Sequence, residues 1–374
     1  MTLKKTKILF LIHDLGHGGA EKVLVNLVNN MSTEKFDVTV MSLFGGGVNE
    51  QFLKPHIKYK TVFKKAFPGN SQIMKLLSPK SLHKLFIKEK YDIEVSYLEG
   101  PSARIIAGCP DKETKKACWI HTQQMYAHNA IRPFRSYKEA FNCYNSFDKV
   151  ACVSKNVVEA FLKLFPIEKP IHTVFNTNES AKIQSLSSEA VDNPLFSDDT
   201  VKIIGVGNLG HNKGFQRVIP TVSLLRKEGV NVRYFILGEG PMKEELETLA
   251  EKHGVKEYVT FLGYQTNPYK YVAKCDLFVC SSFAEGFSTA TTEALIVSTP
   301  VCTTNVSGMT EMLGENNEWG VITENTDEAL YEGIKSLVSN PELLASYKTK
   351  AAERGKAFTT EETVKMTEEF LLNL

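Results

Sequence analysis

Residues 285–293 read E-G-F-S-T-A-T-T-E, so two carboxylates, Glu285 and Glu293, frame a glycine turn and the start of an apolar helical pattern. The preceding run Leu277-Phe-Val-Cys280 has the composition of a short buried strand and is closed by Ser281 and Ser282. Ala290, Ala294, Leu295 and Val297 then keep a helix-compatible spacing until Thr299-Pro300 stops it. This order of strand, loop and helix puts the N–H groups of Gly286, Phe287 and Ser288 at a helix N-terminus, where an anionic or hydroxyl-rich ligand is favoured. Glu293 falls about two turns into the helix, where an acid facing inward needs a hydrogen-bonding partner; a sugar offers hydroxyl donors. An isolated E-x7-E pair is more often one solvated loop acid and one surface helix acid, so the pair alone decides nothing.

Three other places carry residues suited to the same chemistry. The first strand–helix junction, His13-Asp-Leu-Gly16-His-Gly18-Gly19-Ala20-Glu21, sets glycines just before the helical stripe Leu24, Leu27, Val28, Met31. Gly18 and Gly19 allow backbone to approach a ligand closely, although a merely tight turn would look the same. The full G-x-G-x-x-G of dinucleotide binders is missing, which makes a nicotinamide cofactor a weak reading. His121 ends the strand-like run Ala117-Cys-Trp-Ile120 and precedes Thr122-Gln123-Gln124; a lone histidine in such a place is usually structural. Gly205-Val-Gly207-Asn208-Leu209-Gly-His-Asn-Lys213-Gly214 is a second glycine-rich junction, with a cation at its end.

Glu285-Gly286-Phe287, Glu293-Ala294-Leu295, Thr299-Pro300-Val301 and Gly308-x-x-Glu311 occur in one order at close spacing. In this the chain resembles the retaining nucleotide-sugar glycosyltransferases of family 4, of the bacterial cell-surface polysaccharide type, which have the two-domain GT-B fold. The resemblance implies that Gly18 and Gly19 face the reacting sugar and its phosphates and that His121 bonds the hexose. Lys213 would neutralise the donor diphosphate and Glu285 would hold donor-sugar hydroxyls rather than act as nucleophile. Glu293 would take both ribose hydroxyls, and Gly286, Phe287 and Ser288 would line the sugar–phosphate contact. It further implies transfer on one face of the sugar, the leaving phosphate helping to take the acceptor's proton, with no cofactor and no metal.

Several residues depart from the family pattern. Asn208 stands where Arg is usual, and a lost charge-assisted hydrogen bond costs about 1.5–3 kcal/mol; His211 and Arg217 are the nearby cations that could replace it. Ser288-Thr-Ala-Thr-Thr292 is more polar than the usual stretch, which bears on sugar choice. Ser298 replaces a common glycine, a change read as packing.

The elements that must position these residues alternate. Strand-like runs at residues 8–12, 38–43, 93–97, 117–121, 150–153 and 172–175 are separated by helical patterns, and a second series occupies residues 203–206, 234–237, 260–262, 277–280, 301–303 and 320–322. This is the pattern of two doubly wound parallel sheets, so the expected fold is α/β, two Rossmann-like domains facing a central cleft. Residues 1–178 form the expected acceptor-side domain, 179–200 an aperiodic linker, 201–358 the nucleotide-sugar domain, and 359–374 a helix crossing back to the first. Asn325 with Glu328 fits a capping box.

A chain of 374 residues with 43% hydrophobic and 23% charged residues suits two folded domains rather than disorder. No apolar run is long enough to span a bilayer and none resembles a signal-peptide core, so a cytoplasmic place is expected. Seven cysteines without a C-x-x-C pair read as reduced core thiols, and nine histidines show no metal-ligand spacing. The net charge of +1 hides a segment, residues 51–90, with ten lysines against the single acid Glu89, interleaved with apolar and aromatic residues. That mixture suits an anionic membrane surface, or equally a solvated basic face; nothing accompanies it that reads nucleic acid. The expected activity is transfer of a hexose or N-acetylhexosamine, from UDP rather than GDP, to a hydroxyl of a growing glycan, with a lipid-linked precursor of a cell-surface polysaccharide as the expected acceptor. The rivals are a non-catalytic sugar-binding partner of a transferase and a nucleotide-sugar epimerase on the same fold.

Overall fold

Short runs rich in Ile, Val, Leu and Phe form the strands of two all-parallel sheets. The computed structural model describes residues 4–16, 18–124 and 126–374, which divide into one unit of residues 1–178 with 360–374 and another of residues 179–359. In the first unit β1 (Thr6–Ile12), β2 (Phe36–Phe44), β3 (Lys58–Phe63), β4 (Ile93–Ser96), β5 (Lys115–Ile120), β6 (Lys149–Cys152) and β7 (Ile171–Thr173) lie in the order β3-β2-β1-β4-β5-β6-β7. In the second, β8 (Val201–Val206), β9 (Val232–Leu237), β10 (Val259–Gly263), β11 (Leu277–Cys280), β12 (Val301–Thr304) and β13 (Val321–Thr323) lie in the order β10-β9-β8-β11-β12-β13. Ile8 to Ile12 are wholly buried, as expected of a parallel strand covered on both faces, which is why the run is apolar without alternation.

Each sheet reverses its strand order at one place, between β1 and β4 and between β8 and β11. Loops leaving the carboxyl ends of strands at such a switch point diverge and leave room for a ligand. The glycine-rich junctions at residues 13–19 and 207–214 follow β1 and β8, and residues 281–288 follow β11.

The core of the second unit packs the helix Phe215–Lys227, through Phe215, Val218, Ile219 and Val222, with β8, β9 and the Leu330, Ile334 and Leu337 face of the helix Asp327–Val338. In the first unit the last helix, Thr360–Leu372, is anchored by Glu368, which accepts from Ser32 N at 2.7 Å and pairs with Lys35 Nζ at 2.8 Å. Phe370 of the same helix meets Trp119 edge-on at 5.0 Å.

Three local expectations change. Strand β3 lies inside the lysine-rich segment, where alternating lysines hid it: its residues are half-buried or exposed and it forms the sheet edge. The stretch read as aperiodic contains the helix Ser180–Ser187, with Ile183 buried. The helix that starts at Asp327 is capped by Thr326, whose hydroxyl accepts from Ala329 N at 3.1 Å, and not by Asn325.

Candidate active site

Lys213 is brought to β11 by a turn that only glycine permits. Gly214 has φ +68°, and a Cβ there would lie 2.0 Å from the Ser281 carbonyl oxygen, so the backbones following β8 and β11 meet directly. Ser281 Oγ donates to the Lys213 carbonyl at 3.0 Å. Lys213 Nζ then reaches Glu285 Oε1 at 2.6 Å, and Ser282 Oγ donates to the same oxygen at 2.7 Å. Burial pushes the Lys213 ammonium down, but the charge and hydrogen bond of Glu285 more than offset it and its pKa is raised. The Lys213 ammonium is thus held against Glu285, a cation and an acceptor side by side at one loop.

The rest of the motif is fixed from within the second unit. Ser288 caps the helix Thr289–Ile296, its hydroxyl accepting from Thr291 N at 3.3 Å and from Thr291 Oγ1 at 3.0 Å. Phe287 is buried and meets Phe358 edge-on at 6.4 Å. Side chains of Phe287 and Ser288 therefore face inward, and a ligand would meet this turn through its main chain. Gly308, at φ +84°, lies beneath it: a Cβ there would stand 3.1 Å from the Phe287 ring. Glu293 is half-buried and accepts from the Tyr269 hydroxyl at 3.2 Å, which is the partner its inward position demanded.

Asn208 is exposed on the junction after β8. Of the two cations that could make up for the missing arginine, Arg217 is committed elsewhere. Its guanidinium donates to Asp327 Oδ1 and Asn325 Oδ1, each at 2.6 Å, and to the Ser281 carbonyl at 3.3 Å, and lies 4.6 Å over the Phe283 ring. That clamp holds residues 281–283 in place instead of meeting a ligand. His211 is exposed and stacks on Phe283 at 5.3 Å, which leaves it as the compensating candidate.

In the first unit β5 delivers His121 at its carboxyl end. The main-chain N–H of His121 donates to Glu99 Oε2 at 3.0 Å and the ring tilts against Tyr97 at 4.9 Å. Its Nε2 is buried and has no hydrogen-bond partner among the described residues. Burial drives the imidazolium down to about 4, beyond what the Glu99 charge and a main-chain hydrogen bond to Tyr97 restore. A neutral ring with one unused nitrogen is suited to bonding a hydroxyl.

Gly18 caps the helix Gly19–Asn30, and both glycines are exposed. The surroundings are acidic. Asp14 accepts from Gly16 N and from His13 Nδ1, each at 2.7 Å. The Glu21 carboxylate folds back over Gly18, its pKa raised by burial and by Asp14. An anion at this helix N-terminus would face two acids, so sugar or acceptor hydroxyls fit the loop better than the phosphates first expected there.

The lysine-rich segment forms β3 and the helices Asn70–Leu76 and Pro79–Phe86. Lys58 pairs with Asp37 at 2.7 Å and Lys60 with Glu89. Phe52, Ile73, Leu76 and Leu85 are exposed, and a groove of 470 Å³ is lined by Phe63, Phe67, Ile73, Leu77, Leu85 and Phe86 among others. Among the described residues no helix is long and apolar enough to cross a membrane.

The motif residues of residues 285–293 and Lys213 are brought together by the second unit. Sequence reasoning missed Tyr269 and Glu99, which hold Glu293 and His121; it named Ser282 only as the close of a strand and Arg217 only as a spare cation, not as the groups that hold Glu285 and the 281–283 loop. Tyr269 and Glu99 carried no local signal, because both reach their partners through the fold.

Known proteins match this architecture along the whole chain. The family model described as Glycosyltransferase Family 4 matches residues 17–177, and that described as Glycosyl transferases group 1 matches residues 188–354. The N-acetylgalactosamine-N,N'-diacetylbacillosaminyl-diphospho-undecaprenol 4-alpha-N-acetylgalactosaminyltransferase of Campylobacter jejuni is 28% identical over 94% of this chain and 95% of its own length. A second Campylobacter jejuni enzyme, a GalNAc-alpha-(1->4)-GalNAc-alpha-(1->3)-diNAcBac-PP-undecaprenol alpha-1,4-N-acetyl-D-galactosaminyltransferase, is 25% identical over 94% of each chain. Among solved structures, Anabaena HepE in complex with UDP superposes with a TM-score of 0.77 at 18% identity, covering 98% of this chain and 100% of its own. The lipopolysaccharide outer core galactosyltransferase WaaB has a TM-score of 0.76 at 17% identity, covering 98% and 99%. The chain belongs to family 4 of the glycosyltransferases and has the GT-B fold.

Proposed function

We propose that this glycosyltransferase moves a hexose or N-acetylhexosamine from a UDP-sugar to a hydroxyl of a lipid-linked glycan, with retention and without a metal, in the synthesis of a cell-surface polysaccharide. The observation that carries this reading is the Lys213–Glu285 pair at 2.6 Å, which sets a phosphate-neutralising cation beside a carboxylate able to accept sugar hydroxyls. UDP bound to Anabaena HepE supports the nucleotide, and the undecaprenol-linked substrate in the name of the Campylobacter jejuni relative supports the acceptor class. In this scheme the bond between the anomeric carbon and the β-phosphate oxygen breaks while an acceptor oxygen bonds the same face of that carbon. The acceptor's proton passes to the departing phosphate. Lys213 stabilises the charge that develops on the diphosphate, Glu293 takes the ribose hydroxyls, Gly286, Phe287 and Ser288 serve the phosphates through main-chain N–H groups, and Asn208 adds a neutral contact. Neutral His121, with Gly18 and Gly19, serves hydroxyls of the reacting sugar or acceptor. The basic, partly apolar face of residues 51–90 would rest on the anionic inner leaflet, which suits a peripheral cytoplasmic enzyme with a lipid-linked substrate.

The test is calorimetric binding of UDP, GDP and their sugar conjugates with EDTA present, to wild type and Glu293→Ala, followed by nucleotide release with an undecaprenol-linked acceptor. Metal-independent UDP binding, weakened by Glu293→Ala, with acceptor-dependent release supports the reading; binding without turnover on a broad acceptor panel moves it to a sugar-binding partner, the role that Asn208 favours. The anomeric configuration of the product decides retention.

A further inference from the structure

A second group of side chains that the transfer reaction does not use lies in the first unit. His83 comes from the helix Pro79–Phe86, Glu94 from β4, and Cys109 from the turn after the helix Pro101–Ile106. One ligand atom from each lies within 4.8 Å of the other two. His83 Nε2 stands 2.8 Å from Glu94 Oε2, and both residues are buried, at 6% and 2% exposure. Cys109 is partly open to solvent, whereas the other six cysteines are buried.

The arrangement is built by the backbone. A Cβ at Gly108 would lie 2.1 Å from the Pro79 carbonyl oxygen, so only glycine lets the turn that bears Cys109 press onto the first residues of the His83 helix. Ser78 caps that helix, accepting from Ser81 N at 3.1 Å. Lys90 holds the far side of the turn through Asp111 at 2.8 Å. Burial pushes the His83 imidazolium down, but hydrogen bonds to Cys109 and Glu94 more than offset it and hold it at about 9. Two acid-forming groups thus share one buried histidine.

We propose that His83, Glu94 and Cys109 bind one Zn²⁺ ion, each giving one ligand, with solvent at the fourth position on the open side of Cys109. Thiolate, imidazole and carboxylate are the donor set of zinc. Ligand atoms on one tetrahedral zinc stand roughly 3.3–3.8 Å apart for bonds of about 2.0–2.3 Å, so the His83–Glu94 contact opens slightly as Cys109 moves in. Binding releases the Cys109 proton and the proton between His83 and Glu94 to solvent, and no electron is transferred. The ion would staple three elements beside the lysine-rich face. Ligand spacing along the chain gave no hint of it, because the three residues meet only through the fold.

Chelator-stripped, tag-free full-length protein is titrated with Zn²⁺ by calorimetry and with Co²⁺ by absorption. One Zn²⁺ per chain and a thiolate-to-cobalt charge-transfer band are expected. Cys109→Ser should abolish the band, and both Cys109→Ser and Glu94→Gln should weaken zinc at least tenfold with an unchanged far-ultraviolet circular dichroism spectrum. In wild type, zinc should slow iodoacetamide alkylation of Cys109 at least tenfold, a readout independent of any variant's folding. Absence of the cobalt band, zinc affinity unchanged in Cys109→Ser, or no protection from alkylation would each overturn the proposal.

Discussion

The glycine-rich junctions after β1 and β8 occupy corresponding places at the reversal points of their sheets, yet carry opposite charge. After β8 the junction ends in Lys213, half-buried and paired with Glu285; after β1 it is laced by Asp14 and covered by Glu21. Both present a helix N-terminus preceded by glycine, so backbone geometry alone would assign phosphate to either. The side chains separate them: a diphosphate suits the cationic junction, and hydroxyl donors suit the acidic one. In a duplicated architecture the loop shape follows from the fold, while ligand class follows from a few charges.

The comparison breaks most visibly at Lys213. Lys213→Ala should lower kcat/KM by about 10²–10³, as expected when a preorganised charge facing the leaving group is removed. It should also lower the melting temperature, because the largely enclosed Glu285 side chain loses its cation. Glu21→Gln is the counterpart at the other junction and should leave UDP affinity unchanged while raising the KM for acceptor. UDP binding that tightens severalfold in Glu21→Gln would mean that phosphate does sit at the first junction. Steady-state kinetics with calorimetry on both variants reads the two outcomes together.

Acid titration sharpens the contrast inside the first unit. His121 is held near 4 against an ordinary value of 6.5. Its folded form therefore resists a proton that the unfolded chain accepts, so this contribution is present above 6.5 and is lost as pH falls towards 4. At about 1.4 kcal/mol per pKa unit the loss is on the order of 3 kcal/mol. Urea denaturation between pH 7 and 4 should show that fall, and His121→Gln should flatten it. His83 has the opposite sign in metal-free protein: its contribution is complete below 6.5 and is lost as pH rises through about 9.

Much of the frame was legible in the sequence, because the central parallel strands are continuous apolar runs and the shorter runs beside them alternate with helical patterns. Strand β3 was not, since its edge position lets lysines alternate through it. The Glu285–Glu293 motif was legible for a similar reason, as its residues lie within one loop and one helix. Its supports were not. Tyr269 and Arg217 act on this loop and helix from elsewhere in the second unit, and Arg217 looked like a spare cation until its bonds to Asp327, Asn325 and Ser281 accounted for it. With Arg217 committed, Asn208→Arg should restore one charge-assisted contact at the cationic junction and tighten UDP about tenfold, the equivalent of roughly 1.5 kcal/mol. Unchanged affinity in calorimetry would point to His211 as already making that contact.

The smallest expected effect is at Ser298, where packing was the first explanation and backbone conformation is the better one. The helix Thr289–Ile296 ends with Ser298 N donating to the Leu295 carbonyl at 3.0 Å and Thr299 N to the Ala294 carbonyl at 2.9 Å. That pair of bonds is the closing pattern in which the residue after the cap adopts a left-handed conformation. Ser298 has φ +63°, which costs an L-residue roughly 1–2 kcal/mol. Glycine removes that strain but loses more chain entropy on folding, about 0.5–1 kcal/mol. Ser298→Gly should therefore stabilise the protein by about 0.5–1 kcal/mol and raise the melting temperature by a few degrees at most. Glu293 sits on this same helix, so UDP affinity serves as the control: stabilisation with unchanged binding assigns the strain to the helix end alone, whereas altered binding would show that the left-handed serine tunes how Glu293 is held.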